Sequence, residues 1–306
     1  MEQNYGRFLT STITKIPGSI HTEIKNLVVN DTPLIHNLSF GIPNPETFPL
    51  HKATVTLKDG SKFDISPKEM TETLQYNKIN GYPPLVKHLK HLIQHLHNPP
   101  KWSDREVMVT NGSLEGLGRV FEIILDNGDF VIIPEHCYQG VFVTTKHIQP
   151  NYITVKSDHD GLIVECLQDA ILNCRSKGGS PKALYINPCG CNPTGTVLSE
   201  SRKGLIYELA CKYDFLILED DPYSYLDYSE EPTVSFLQLD TEGRVIRLES
   251  FSKTVSAGLR LGFIIAPKPL VYVMGNITST TTIHTSMLPQ VKRATALKLT
   301  YGIEID

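Results

Sequence analysis

The sequence predicts an α/β domain with a mostly parallel sheet flanked by helices. Short apolar segments recur along the chain, and amphipathic helical segments lie between them. Composition agrees: 40% of the 306 residues are hydrophobic and 20% charged, too apolar for a disordered chain. A chain of this length can bury a sizeable core without disulfide or metal staples.

Residues 1 to about 50 read as irregular, with a turn-dense stretch at Gly41-Ile42-Pro43-Asn44-Pro45. A helix is predicted from Pro83 to His97, because Leu85, Leu89, Leu92 and Leu96 recur at helical spacing and Pro99-Pro100 stops it. Glu106 to Thr110 is a short buried strand and Asn111-Gly112-Ser113 a turn. The next helix carries Leu117, Val120, Phe121, Ile124 and Leu125 on one face. Asp126-Asn127-Gly128-Asp129 turns the chain into the strand Phe130 to Ile133. Tyr152 to Val155 is a strand, Val164 to Cys174 a helix and Lys182 to Ile186 a strand. Ser199 caps a helix running to about Lys212. Phe215 to Leu218 is an apolar strand that runs into Glu219-Asp220-Asp221, and Val245 to Leu248 and Phe263 to Ala266 are two more.

The net charge of −4, from 29 basic and 33 acidic residues, argues against a nucleic-acid binder. No apolar run reaches the roughly 18 residues of a membrane span. The nearest, Leu261 to Val273, is broken by Pro267, Lys268 and Pro269. Six cysteines form no C-x-x-C pair and read as reduced thiols of an intracellular protein. The N-terminus lacks a secretory pattern. Its Ser/Thr-rich start, with Arg7, Lys15 and Lys25, leaves both a cytoplasmic and a mitochondrial location open.

In parallel sheets ligands sit beyond the carboxyl ends of the strands, so the strand-to-loop junctions are where chemistry is sought. Thr110-Asn111-Gly112-Ser113 offers a glycine and the free N–H groups of a helix start, suited to a phosphate, or else an ordinary capped turn. Cys191-Asn192-Pro193-Thr194-Gly195 presents an amide on a rigid turn, or simply leads to the next helix. Asp220-Asp221-Pro222-Tyr223 puts a carboxylate at the end of a buried strand, where a protonated ring nitrogen would pair with it, or forms a solvated acidic loop. Ser250-Phe251-Ser252-Lys253, with Arg260, offers an amine nucleophile beside a phosphate clamp, or surface charges. Each is ambiguous alone. Together they fit one ligand, pyridoxal 5'-phosphate, which needs a phosphate site, an acid for its ring nitrogen, a phenol and an imine-forming lysine.

On these motifs the chain resembles the class I/II aminotransferases of the pyridoxal-phosphate fold type I group. Within them it is most similar to the kynurenine/α-aminoadipate aminotransferases. The similarity runs from Tyr5-Gly6-Arg7-Phe8 to roughly Ser286 and is dense over residues 206–217 and 243–247. Asn-Pro-Thr-Gly, Asp-Asp-Pro-Tyr and Ser-Phe-Ser-Lys, in that order, are highly specific.

The resemblance implies roles. Lys253 would hold the cofactor covalently and then shuttle a proton at the substrate α-carbon. Asp220 would pair with the ring nitrogen, while Asn192 and Tyr223 would hydrogen-bond the phenolic oxygen. Tyr138 would stack on the ring. Gly112, Ser113, Ser250, Ser252 and Arg260, with the backbone of Leu114, would hold the phosphate. Tyr76 matches a tyrosine that reaches the neighbouring subunit's phosphate, which implies a homodimer. Gly41 matches a glycine lying against the substrate, and Asn192 also belongs to the substrate side. The implied fold is the family's large domain, with residues 1–60 contributing to the small domain and substrate site. Residues 61–306 would form the cofactor-binding domain, with the small domain incomplete. The implied reaction moves an amino group between an aromatic or long acidic amino acid and a 2-oxo acid. A β-lyase or decarboxylase would use the same cofactor.

Four departures bear on this. Leu114 stands where relatives carry a polar residue. His21 replaces an arginine that helps recognise substrate. Cys189-Gly190-Cys191 replaces a more polar run. The chain also ends at Asp306, where the family continues into a C-terminal domain carrying an arginine for the substrate α-carboxylate. Nothing after Arg260 matches that arginine; Arg293 falls in the interdomain helix, and the tail 301–306 resembles nothing in the family. The alternative expectation is therefore a truncated chain that binds the cofactor but is catalytically weak or inactive, since losing the clamp costs orientation. No metal site is expected. His88, His91 and His95 read as a solvated helix face, Glu230-Glu231 as a solvated loop, and Cys189/Cys191 as too closely spaced for structural zinc.

Overall fold

The structure, a computed structural model, describes residues 4–15, 41–226, 228 and 233–291. They fall into two compact units. One comprises the described residues within 15–89 and 275–306, the other those within 1–14 and 90–274. His21, Glu230, Glu231 and Arg293 lie outside the described residues.

The smaller unit opens with an antiparallel hairpin of β1 (Ala53–Thr56) and β2 (Lys62–Ile65), whose Phe63 and Ile65 point inward. The hairpin is absent from the predicted elements because its strands are four residues long and half polar. Helix α1 (Pro67–Leu74) begins with a reciprocal cap. Glu69 N donates to Ser66 Oγ, and Ser66 N donates to the Glu69 carboxylate at 2.8 Å.

Helix α2 (Pro83–His97) has the predicted bounds, and Leu85 and Leu89 are buried. Its inward stripe then follows i+4 steps through Ile93 to His97, so Leu96 is 46% exposed. His88 lies on this stripe and is buried, which corrects its reading as part of a solvated face. His91 and His95 are exposed as expected.

In the larger unit strands and helices alternate. In chain order they are β3 (Arg105–Thr110), α3 (Ser113–Ile124), β4 (Phe130–Pro134), α4 (Gly140–Thr145) and β5 (Asn151–Val155). A two-residue hairpin follows, β6 (Ser157–Asp158) and β7 (Gly161–Leu162), then α5 (Val164–Ser176), β8 (Pro181–Ile186), α6 (Glu200–Tyr213) and β9 (Leu216–Asp220). The last are α7 (Phe236–Leu239), β10 (Val245–Ser250), β11 (Gly262–Pro267) and α8 (Lys268–Thr281), which continues past the boundary of the unit. Ser199 caps α6 as predicted, its side chain accepting from Arg202 N. Pro267-Lys268-Pro269 starts α8 rather than only interrupting an apolar run, since a proline in the first turn has no helical partner to lose. No helix among the described residues is long and apolar enough to cross a membrane. All six cysteines are free thiols.

Seven strands form one sheet in the order β3-β11-β10-β9-β8-β4-β5. Strands β10, β9, β8, β4 and β5 are mutually parallel, and β11 runs antiparallel between β10 and β3. With helices packed against it the sheet is buried, so β9, β10 and β11 show no exposed residue. The buried charges Glu219, Asp220, Arg247 and Glu249 therefore stand out in the central strands. Tyr5 and Arg7 fasten the N-terminal turn to this unit: Tyr5 Oη donates to the Gly243 carbonyl at 2.9 Å, and Arg7 forks the Asp214 carboxylate with two bonds of 2.7 Å.

Candidate active site

Strand direction gathers the predicted junctions. Because β3 and β10 both run opposite to β11, their carboxyl ends lie side by side, with Thr110 and Ser250 each in register with Gly262. Asp220 at the end of β9 is in register with Leu248 of β10. A cleft of about 200 Å³ opens at this edge. Its walls carry Asp220, Tyr223, Asn192 and Tyr138. They also carry Ser250, Ser252, Lys253, Arg260, Ser113 and Leu114. Gly41 and Tyr76 belong to the smaller unit, where both are exposed.

The anion end is built on α3. Gly112 starts it with φ +82° and ψ 160°, a conformation essentially open to glycine alone, and no side chain caps the helix. Its first N–H groups thus lack a side-chain cap beside the arginine, a setting that favours an anion. Arg260 reaches this point, its guanidinium donating to the carbonyls of Ala257 at 3.1 Å and Asn111 at 3.4 Å. Gly262 is a second required glycine: a β-carbon there would lie 2.7 Å from Ser113 N and from the Glu249 carbonyl oxygen. It lets β11 pass directly beneath the helix start.

Lys253 lies exposed in a π-helical turn, Ser252–Ser256, and Ser252 N donates to Ser250 Oγ at 3.2 Å. Tyr138 folds over Gly140, where a β-carbon would come 2.1 Å from the ring.

The acid end is buried. Asp220 is 5% exposed; its Oδ2 accepts a 2.7 Å hydrogen bond from Tyr185, while Oδ1 has no partner. Burial pushes its carboxyl up to about 6, with Tyr185 and Arg247 opposing and Asp221 assisting. A buried carboxylate oxygen without a donor is costly, and a ligand with a proton to donate would fit there.

Two supports escaped sequence reasoning. Asn187 Nδ2 donates to the Asp220 carbonyl at 2.7 Å, and its Oδ1 accepts from Asn192 N at 2.8 Å, so one amide joins the Asn192 loop to the end of β9. Its place directly after β8 was the available signal. The other support is Arg247, fully buried, which contacts Glu249 at 2.7 Å, Asp221 at 3.0 Å and Glu219 at 3.1 Å. Arg247 also donates to Ser224 Oγ at 3.2 Å, thereby bracing the turn that holds Tyr223. Burial pushes Glu249 up to about 7 against the pull of Arg247, and burial with Arg247 holds His97 down to about 2. Alternation and spacing give no view of such a cluster.

The donor set fits the cofactor implied by the sequence. An orphaned buried carboxylate oxygen, a lysine amine, a phenol, an amide and an arginine at an uncapped helix start all border one cleft.

The sequence profile described as "Aminotransferase class I and II" matches residues 36–300. The mitochondrial kynurenine/alpha-aminoadipate aminotransferase of Bos taurus is 38% identical over 299 residues, covering 94% of this chain and 70% of the relative. Among solved structures, aminotransferase Aro8 from Candida albicans superposes with a TM-score of 0.89 at 26% identity, covering 97% of this chain and 70% of that one. A Pyrococcus horikoshii kynurenine aminotransferase, solved in complex with PMP, KYN as substrates and KYA as products, gives 0.75 at 29% identity, covering 97% and 72%.

Proposed function

Because the chain belongs to the class I and II aminotransferases, enzymes that work with pyridoxal phosphate, we propose that it moves the amino group of a kynurenine- or aminoadipate-like amino acid to a 2-oxo acid. One observation carries the placement of the reaction: the unpartnered, buried Oδ1 of Asp220 in a cleft that also holds Lys253 and Arg260.

When bound, pyridoxal phosphate supplies a reactive carbonyl carbon and an electron-withdrawing ring that stabilises charge at the substrate α-carbon. Arg260, Ser250, Ser252 and the backbone of Gly112, Ser113 and Leu114 hold its phosphate. Asp220 Oδ1 keeps the proton on the ring nitrogen. Asn192 and Tyr223 hydrogen-bond the phenolic oxygen, and Tyr138 covers the ring face. Lys253 Nζ would hold the cofactor's reactive carbon, and its free amine would carry the proton at the substrate α-carbon. In this reading Tyr76 serves the phosphate of a second copy in a homodimer. Gly41 and His21 flank the substrate, within an N-terminal segment of about 60 residues allied to it. The mitochondrial label of the bovine relative supports a mitochondrial address, with the cytoplasm as the alternative.

The test is the visible spectrum of the purified chain with pyridoxal phosphate, before and after adding aminoadipate or kynurenine. A band lost in Lys253→Ala and converted to the amine form by either amino acid is the expected result. A band that no amino acid changes would leave a chain that binds the cofactor without transferring an amino group. Coexpressing Tyr76→Phe with Lys253→Ala chains, and recovering activity from the mixture, would test the shared site.

A further inference from the structure

Tyr185 is fully buried in β8, and its hydroxyl donates to Asp220 Oδ2 at 2.7 Å. The direction of this bond is fixed: burial, then the neighbouring Asp220 charge, pushes the phenol well above its ordinary range, so the oxygen keeps its proton. The backbone of Asp220 is held as well. Its carbonyl accepts from Asn187 Nδ2, and the next amide, Asp221 N, donates to the Leu248 carbonyl at 3.0 Å. A carboxylate has two equivalent oxygens and swings readily about its last torsion, which is broad. Here the hydrogen bond removes that equivalence, and Oδ1 is left without a donor in a residue that lines the cleft.

We propose that Tyr185 is a positioning residue for the cofactor ring: by engaging Oδ2 it presents Oδ1 of Asp220 as the single oxygen that accepts the hydrogen bond from the protonated ring nitrogen. The proposal rests on the cofactor reading given above. Tyr185 does not touch the ring; it acts through Asp220. Its bond stiffens the carboxylate before the cofactor arrives, which lowers the ordering cost of binding. It also offsets part of the burial penalty on the Asp220 charge, so that the carboxylate meets the ring nitrogen as an anion. A hydroxyl two residues before Asn187 thus belongs to the same device as Asn187, one setting the side chain and the other the main chain.

The experiment compares the affinity of the full chain for pyridoxal phosphate and for its 1-deaza analogue, in which carbon replaces the ring nitrogen. It is done on the wild type and on Tyr185→Phe. The wild type should prefer pyridoxal phosphate. The variant should bind pyridoxal phosphate about tenfold more weakly, the worth of one charge-assisted hydrogen bond, and the analogue within about twofold of wild type. Equal losses for both ligands would assign Tyr185 a purely structural role and overturn the proposal, as would no loss for either. A wild type that binds both ligands equally would instead overturn the pairing of Asp220 with the ring nitrogen, and the proposal with it. Should Tyr185→Phe fail to fold, 3-fluorotyrosine at position 185 keeps the ring and acidifies the hydroxyl. It should widen the preference for pyridoxal phosphate, and an unchanged or narrower preference would overturn the assignment.

Discussion

The guanidinium of Arg260 occupies the place where residue 112 would carry a side chain: a β-carbon on Gly112 would lie 2.4 Å from Arg260 Nη2. The arginine at the cleft and the glycine at the helix start are therefore one feature. Gly112 serves it twice, by its conformation and by its missing side chain.

Gly112→Ala should accordingly damage phosphate recognition more than the fold. The glycine-only conformation costs on the order of 1–3 kcal/mol for alanine, and the guanidinium must move. Affinity for pyridoxal phosphate should fall about tenfold to a hundredfold, the loss of one or more charged hydrogen bonds, while affinity for pyridoxal, which has no phosphate, stays near wild type. Equal losses for the two ligands would remove the anion role from this turn.

Asp220→Asn separates stability from function. The folded carboxyl stands near 6, above its unfolded value, so the folded chain holds this proton more firmly. Its contribution is fully present below about pH 4, declines as pH rises through about 6, and stays lost above that. Without cofactor, the asparagine chain should be more stable than wild type at pH 7.5, by at most about 3 kcal/mol, and show no such gain at pH 4. Added pyridoxal phosphate should raise the melting temperature of the wild type far more than that of the variant. Thermal melts at the two pH values, with and without cofactor, check both statements.

The order of the motifs was legible because each sits where an apolar strand runs out, and a loop at a strand end has few structural duties that need Asp220, Asn192 or Lys253. The seven strands of the main sheet and helices α3, α5 and α6 follow from continuous apolar runs and periodicity, while α4, α7, α8 and the β6–β7 hairpin are not among the predicted elements. What stayed hidden has two causes. The β1–β2 hairpin is too short for alternation to stand out. Tyr185, Asn187, Gly262 and Arg247 act on neighbours brought close by sheet order, which local spacing does not report. His88 shows the same limit on a helix: a polar residue fell on the inward stripe, where polarity alone argues for solvent.

Gly140→Ala should act on Tyr138. The added carbon would come within 2.8 Å of three ring atoms, so the ring has to leave its place. Alanine favours the helix α4, and the melting temperature should hold or rise. Cofactor affinity should drop by about threefold to tenfold, the value of one aromatic stacking contact. Combined with Tyr138→Ala it should add almost nothing, because both changes remove the same contact. Additive losses would place the effect of Gly140 elsewhere.

Arg247 is the residue on which the centre of the sheet most depends. Glu219, Asp221 and Glu249 share its one positive charge in a fully buried setting, and Ser224 takes a further bond. Lys203, also buried, donates to the Val234 carbonyl and adds its charge to the field at Glu219 and Asp221. Arg247→Met strands those acids and should cost about 3–5 kcal/mol. Glu249→Gln should do the opposite. Its carboxyl is raised to about 7, so its stabilising share is present at low pH and lost as pH rises through 7. A neutral amide can still accept from Arg247 Nε, and the variant should equal or exceed wild type at pH 8 while gaining nothing at pH 5. Denaturant titrations of both variants at these two pH values decide it: a large loss for Glu249→Gln at pH 8 would mean that the third carboxylate is needed as an anion, and that Arg247 is not over-supplied with negative charge.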